Sequence, residues 1–186
     1  MSTIEQWTMS EETQIALDLN KLIQIAGVTE WDYIIIGDGS ATTWHSSGGW
    51  ASFVYDRQNR TRTSVNGGMN LCSVHGAEYM AALWPLLWLS NAIPREKGRK
   101  PVVIVISDRK TLTDTFASKT KSRGTPLDAT VNVLRGIFDI RSVWVSRDDL
   151  FIHKQCHNEA NRRRIQFNEQ SVSSDVTEYL VREFIG

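Results

Sequence analysis

The chain has 186 residues, 41% of them hydrophobic and 23% charged, which suffices for one domain with a sizeable core and no disulfide staples. Lys and Arg number 21, as do Asp and Glu, so the formal net charge is zero and any case for nucleic-acid binding must rest on local clusters. Two cysteines, Cys72 and Cys156, exclude a disulfide framework and fit a reducing compartment. The polar, acidic opening MSTIEQWTMSEET carries no cleavable signal, and the longest apolar run, AALWPLLWL at 81–89, is too short to span a membrane. The expectation is a cytoplasmic, monomeric protein with no membrane partner.

In chain order, the residues before about Ser10 read as a loose terminus. Ser10, the acids after it and the spacing of Ile15, Leu17, Leu22 and Ile23 predict an N-capped amphipathic helix over about 10–25. The apolar run at 33–37 predicts a strand buried on both faces, and GWASFVY at 49–55 a second. DRQNR turns the chain into a third strand, about 61–70, completing an antiparallel meander. The period then changes: 75–91 has helical spacing, with Pro85 as a kink. PVVIVISD at 101–108 is another buried strand. Helices are expected over 110–118 and from Pro126 to about Phe138, with a basic loop KTKSRG between them. A fifth strand is expected at 142–146, a loop at DDLFIHKQC, a helix from near Asn158 and a last helix at about 174–184. The fold class is therefore α/β: a mixed five-stranded sheet, three antiparallel strands then two parallel, flanked by helices. Residues 1–30 read as an N-terminal helical extension, 31–168 as the main domain and 169–186 as a C-terminal helix packed on it.

Two of the buried strands run into acids, Asp38 and Asp108. If the intervening helix is a right-handed crossover, both acids lie on adjacent parallel strands at the carboxyl edge of the sheet. Glu78, in the first turn of that helix, falls beside them. Three carboxylates without basic neighbours in sequence repel one another, and divalent cations relieve that repulsion. An all-oxygen donor set suits Mg²⁺ or Mn²⁺, and two such ions can activate water against a phosphodiester. Competing readings are weaker. Gly37-Asp38-Gly39 follows a strand like a dinucleotide loop, but Thr42 stands where the third glycine belongs. Cys72, His75, His153 and Cys156 have zinc-like spacing, against the simpler reading of buried thiols and a capping histidine.

Over about 33–166 the chain resembles the type 1 ribonucleases H. The resemblance is carried by D-G-S at 38–40, G-G-W-A at 48–51, A-E-Y-M-A-A at 77–82, V-x-I-x-S-D at 103–108 and V-W-V at 143–145, in the family's order. It implies a ribonuclease H-like fold and a two-metal-ion endonuclease that cleaves the RNA strand of RNA–DNA hybrids, with Asp38, Glu78 and Asp108 as ligands. The family's fourth acid lies in N-E-x-A-D, whereas this chain has N-E-A-N-R at 158–162, so Asn161 is expected at the fourth position. Asp148, Asp149 and Glu159 are the alternatives. His153 is the candidate for the family's flexible-loop histidine, with His157 as the fallback. Gly39, Ser40, Trp44, Gly49, His75, Arg109, Lys110 and Arg162 make up the expected nucleic-acid surface: the glycines turn the chain beside a bound duplex, Trp44 stacks and the cations contact phosphate. Arg57, Arg60, Arg62 and the basic loop at 119–123 read more simply as solvated charge. Two rivals remain: a binding or docking module with a vestigial site, and a DNA-cleaving member of the superfamily.

Overall fold

The computed structural model describes residues 2–6, 9–42, 46–93, 98–117 and 126–170. Trp44, the KTKSRG loop and the expected helix at 174–184 lie outside them. Six strands form one sheet: β1 (Ser2–Gln6), β2 (Tyr33–Ala41), β3 (Ser46–Asp56), β4 (Thr61–Cys72), β5 (Val102–Ser107) and β6 (Asp139–Trp144), in the order β1-β4-β3-β2-β5-β6. The five expected strands are present, β2, β3 and β4 as the antiparallel meander and β5 and β6 parallel to β2. A sixth was not anticipated: Ser2–Gln6, read as loose, pairs antiparallel with β4, Ser2 opposite Val65 and Gln6 opposite Thr61. Five residues carry too short a pattern to declare a strand, and the partner edge supplies the hydrogen bonds.

Period-2 alternation divides the core in two. Ile35, Val54, Val103 and Val105 face one side of the sheet, under α2 (Val74–Ala92), α3 (Lys110–Phe116) and α4 (Pro126–Ile137). Ile34, Ile36, Phe53, Tyr55, Ile104 and Ile106 face the other, where Ile15 and Leu22 of α1 (Met9–Ala26) and Ile152 and Cys156 of α5 (Phe151–Gln170) pack. Helix α2 runs unbroken through Pro85, with Ser73 capping it by accepting from the Gly76 N–H at 3.0 Å. Among the described residues no helix is long and apolar enough to cross a membrane.

Helix α5 begins at Phe151, seven residues before the expected start near Asn158, so DDLFIHKQC is only in part a loop. The apolar spacing Ile152–Cys156–Ala160, all buried, continues the helix backward. Its cap comes from another element: buried Asp18 on α1 accepts from the backbone N–H groups of Phe151 at 3.3 Å and Ile152 at 3.2 Å. Lys21 adds a bond to the Asp149 carbonyl at 2.8 Å. A cap that arrives from 133 residues away leaves no local signal.

Candidate active site

The crossover through α2 puts β2 and β5 side by side, and their pairing ends at Ile36 opposite Ile106. Asp38 and Asp108 both stand two residues beyond that last pair. Asp38 is not at a strand end, since β2 continues along β3 to Ala41 opposite Gly48. It marks where β5 stops and the sheet opens. Glu78 is delivered by close packing: a Cβ on Gly39 would stand 2.4 Å from the Ala77 carbonyl carbon and the Glu78 nitrogen. Only glycine lets the first turn of α2 press onto β2 there, and the contact sets Glu78 beside Asp38.

Asp38 is fully buried, and its Oδ1 accepts from the Gly39 N–H at 2.9 Å. Glu78 is 3% exposed, with Oε2 lacking a partner among the described residues. Its carboxyl is pushed up to about 9, by burial first and then by Asp38, with Asp108 adding to the repulsion. Asp108 lies nearer solvent, with Arg147 on its Oδ2 at 3.0 Å through Nε. The same Nε is 3.8 Å from Asp38 Oδ2, so one guanidinium bridges two of the three acids. Trp144, half exposed, donates from Nε1 to the Asp108 carbonyl at 2.7 Å. Glu78, Asp108 and Arg147 line an open cleft of about 390 Å³, together with Val74, Arg109, Lys110 and Thr111.

Asn161 does not reach the carboxylates; His157 does. Its Nδ1 lies 2.8 Å from Asp38 Oδ2, and its Nε2 lies 3.0 Å from Asn161 Nδ2. The next links fix the direction of every proton. Arg164 Nε can only donate, and it does so to Ser40 Oγ at 3.0 Å; Ser40 Oγ then donates to Asn161 Oδ1. The amide nitrogen of Asn161 therefore donates to His157 Nε2, which leaves the proton on Nδ1, directed at Asp38. Asn161 thus stands behind His157 on one face of α5, four residues further along the helix. Substituting Asn161 with Leu should remove the bond to Nε2 while the Nδ1–H stays on Asp38, so that the ¹⁵N chemical shift of His157 Nε2 moves and that of Nδ1 changes little, while the melting temperature falls by only a few degrees.

His153 is no flexible-loop histidine: it sits in the first turn of α5, fully buried, with neither ring nitrogen hydrogen-bonded among the described residues. Burial lowers its pKa. One donor atom each from Asp38, Asp108 and His153 lie within 4.8 Å of one another. The oxygen-only donor set expected from sequence thus gains a nitrogen.

The expected nucleic-acid surface divides. Arg109 and Lys110 line the cleft, with Arg109 3.2 Å from His75 Nδ1 and Lys110 exposed at the start of α3. Gly39, Ser40 and Gly49 are buried and face helices instead of a duplex; a Cβ on Gly49 would meet the Ala160 carbonyl oxygen at 2.2 Å, beneath α5. Ser40 serves the hydrogen-bond chain just described. Arg162 is held along α5 by Glu159, at 2.8 Å through Nε. Glu159 also binds Arg163, and Asp148 pairs with Lys154, so neither acid turns into the site. The zinc reading loses Cys156, whose fully buried thiol donates to the Ile36 carbonyl at 3.1 Å and is pushed well up by burial. Arg57 and Arg62 stack over Trp31 and Phe53. Arg147 and His157 are the residues that sequence reasoning undervalued.

No protein-family model matches this chain, and no curated protein matches it either. Solved structures do. The N-terminal RNase H domain of a Mycobacterium tuberculosis protein, solved as a fusion with maltose-binding protein, aligns with a TM-score of 0.61 at 16% identity, covering 77% of this chain and 100% of that one. The fold is that of ribonuclease H. LC11-RNase H1 in complex with an RNA/DNA hybrid aligns at 0.59 and 15% identity, over 72% of this chain and 97% of its own. RNase H1 from the halophilic archaeon Halobacterium salinarum aligns at 0.57 and 12%, over 72% and 98%. At such identities the likeness concerns the ribonuclease H backbone, and the chemistry of this chain has to be argued from its own side chains.

Proposed function

We propose that this protein is a metal-dependent endonuclease of ribonuclease H type that cuts the RNA strand of RNA–DNA hybrids. The observation that carries the reading is the convergence of Asp38, Glu78 and Asp108 at the open edge of the sheet, with the Glu78 carboxyl pushed up to about 9. Burial first and repulsion from Asp38 and Asp108 after it raise that carboxyl, and acids so arranged in a cleft suit a cation. Carboxylates at Asp38, Glu78 and Asp108 suit Mg²⁺ or Mn²⁺, and these residues would hold two ions. Bound there, the ions would lower the pKa of an attacking water and stabilise the leaving oxygen. The protein's own contribution is positional. Glu78 keeps its proton until a cation offsets the charge of Asp38 and Asp108. His157 holds Asp38 in one orientation through Nδ1. Arg109 and Lys110 at the rim, with Arg147, offer cations to a phosphate backbone. Recognition by backbone shape and 2′-hydroxyls, with no base identity, fits a shallow cleft.

One observation favours a second reading, a nucleic-acid-binding module that no longer turns over. Arg147 already pairs with Asp108 and lies 3.8 Å from Asp38, so two of the acids are partly compensated by the protein itself. Incubating the protein with labelled RNA–DNA hybrid, double-stranded RNA and DNA in Mg²⁺, Mn²⁺ or EDTA separates the readings. Metal-dependent cutting of the hybrid alone supports the nuclease; binding without cutting supports the module; cutting of DNA points to a DNA-cleaving relative.

A further inference from the structure

We propose that Asp38, Asp108 and His153 form a mixed oxygen–nitrogen cation site that takes Mn²⁺ in preference to Mg²⁺. The inference deepens the nuclease reading and rests on it for the location of the site. Three observations carry it. The three donor atoms lie within 4.8 Å of one another, a span that one ion with bonds of about 2.1–2.3 Å closes with a small inward shift. His153 is fully buried, and neither of its ring nitrogens has a hydrogen-bond partner among the described residues. Buried imidazoles are ordinarily satisfied on at least one nitrogen, so an unsatisfied one aimed at two carboxylates needs a reason, and a cation supplies it. Third, the guanidinium of Arg147 already bridges Asp108, at 3.0 Å, and Asp38, at 3.8 Å, from a side chain that is 44% exposed. A positive charge is at home between these acids, and the one there sits on a part-exposed side chain.

The nitrogen decides which cation. Mg²⁺ favours oxygen donors and retained water in a near-ideal octahedron, whereas imidazole favours transition metals. Mn²⁺ accepts carboxylate and imidazole together. The charges facing His153 are mixed: Asp38 and Asp108 attract a cation, Arg147 opposes one, and His157 opposes one when protonated.

Titration of the full chain with Mn²⁺, followed by electron paramagnetic resonance and competed with Mg²⁺, tests this without reference to activity. The expected result is Mn²⁺ bound at least about tenfold more tightly than Mg²⁺, with ¹⁴N coupling from a coordinated imidazole in the pulsed spectrum. His153→Leu should erase that coupling and weaken Mn²⁺ binding about tenfold or more, while His157→Gln retains the coupling. The metal-free His153→Leu protein should melt no lower than the parent, because leucine removes an unsatisfied buried group. If the leucine variant does not fold, His153→Gln replaces it, and the parent spectrum alone still decides. Bound Mn²⁺ with no ¹⁴N coupling, coupling that survives His153→Leu, or equal affinity for the two metals overturns the proposal. Coupling present without hybrid cleavage would count against the nuclease and leave the site standing; cleavage without coupling would do the reverse.

Discussion

Changing Asp108 to Asn is expected to lower cleavage of an RNA–DNA hybrid by about 10³-fold or more while leaving the fold in place. The substitution removes one negative charge from the site and keeps the side-chain shape. Asparagine still presents an oxygen to Arg147, whose own side chain is 44% exposed, so the lost ion pair costs stability of about 1 kcal/mol or less. The bond from Trp144 goes to the Asp108 backbone carbonyl and is indifferent to the change. The deficit should therefore be in catalysis and not in folding, a combination read by single-turnover cleavage alongside a thermal melt. Cleavage at the parent rate in a folded Asp108→Asn protein would remove the carboxylate mechanism.

Replacing Glu78 with Gln should do two things at once: abolish cleavage and stabilise the metal-free protein. Burial first, then Asp38, pushes the Glu78 carboxyl from an ordinary 4.5 to about 9. Between those values the folded protein holds a proton that the unfolded chain releases. Stability therefore falls as pH rises through the window, by up to about 1.4 kcal/mol per pH unit from this group alone. Below pH 4.5 both states are protonated and the penalty vanishes. Glutamine is neutral throughout and carries no such slope. Chemical denaturation in EDTA should show the two proteins close together near pH 4, and Glu78→Gln ahead by about 2–4 kcal/mol at pH 8. Parallel pH profiles for the two proteins would mean that Glu78 is not held protonated. The same repulsion makes the cation a folding ligand, so Mn²⁺ or Mg²⁺ should recover part of the lost stability in the parent and little of it in the variant.

What the sequence made legible was the part that depends on local pattern and on the handedness of crossovers. Asp38 and Asp108 follow uninterrupted β-branched runs, and the connection between those runs contains one helix. Their meeting at a sheet edge was therefore predictable from topology, and Glu78 came with the helix. The remainder depends on contacts between elements far apart in the chain. Asn161 was placed by counting along a family pattern, whereas the side chain that meets Asp38 is set by how α5 lies across β2 and β3. Gly49 allows the Ala160 backbone almost into contact with the strand, although it read as a strand start facing a bound duplex. Arg147 is a lone basic residue between Ser146 and Asp148, and nothing local distinguishes it from solvated charge. His153 read as a loop residue because the helix that buries it is capped by a carboxylate on α1.

That carboxylate, Asp18, bears on where this protein can be cut. Residues 1–30 have the look of a dispensable appendage, since the ribonuclease H pattern begins after them. Yet the first exposed amides of the helix bearing His153, His157 and Asn161 are held by a side chain within that appendage. A version trimmed to the pattern would keep every residue of the acidic cluster and lose the clamp that sets the pitch of the histidine helix against it. Trimming would thus act as a remote lesion of the site, visible as a loosened first turn of α5 in amide exchange before any loss of the sheet. No local substitute is at hand, because the residue before α5 is Leu150, which is buried in the core, so a trimmed version would lose the clamp without a replacement.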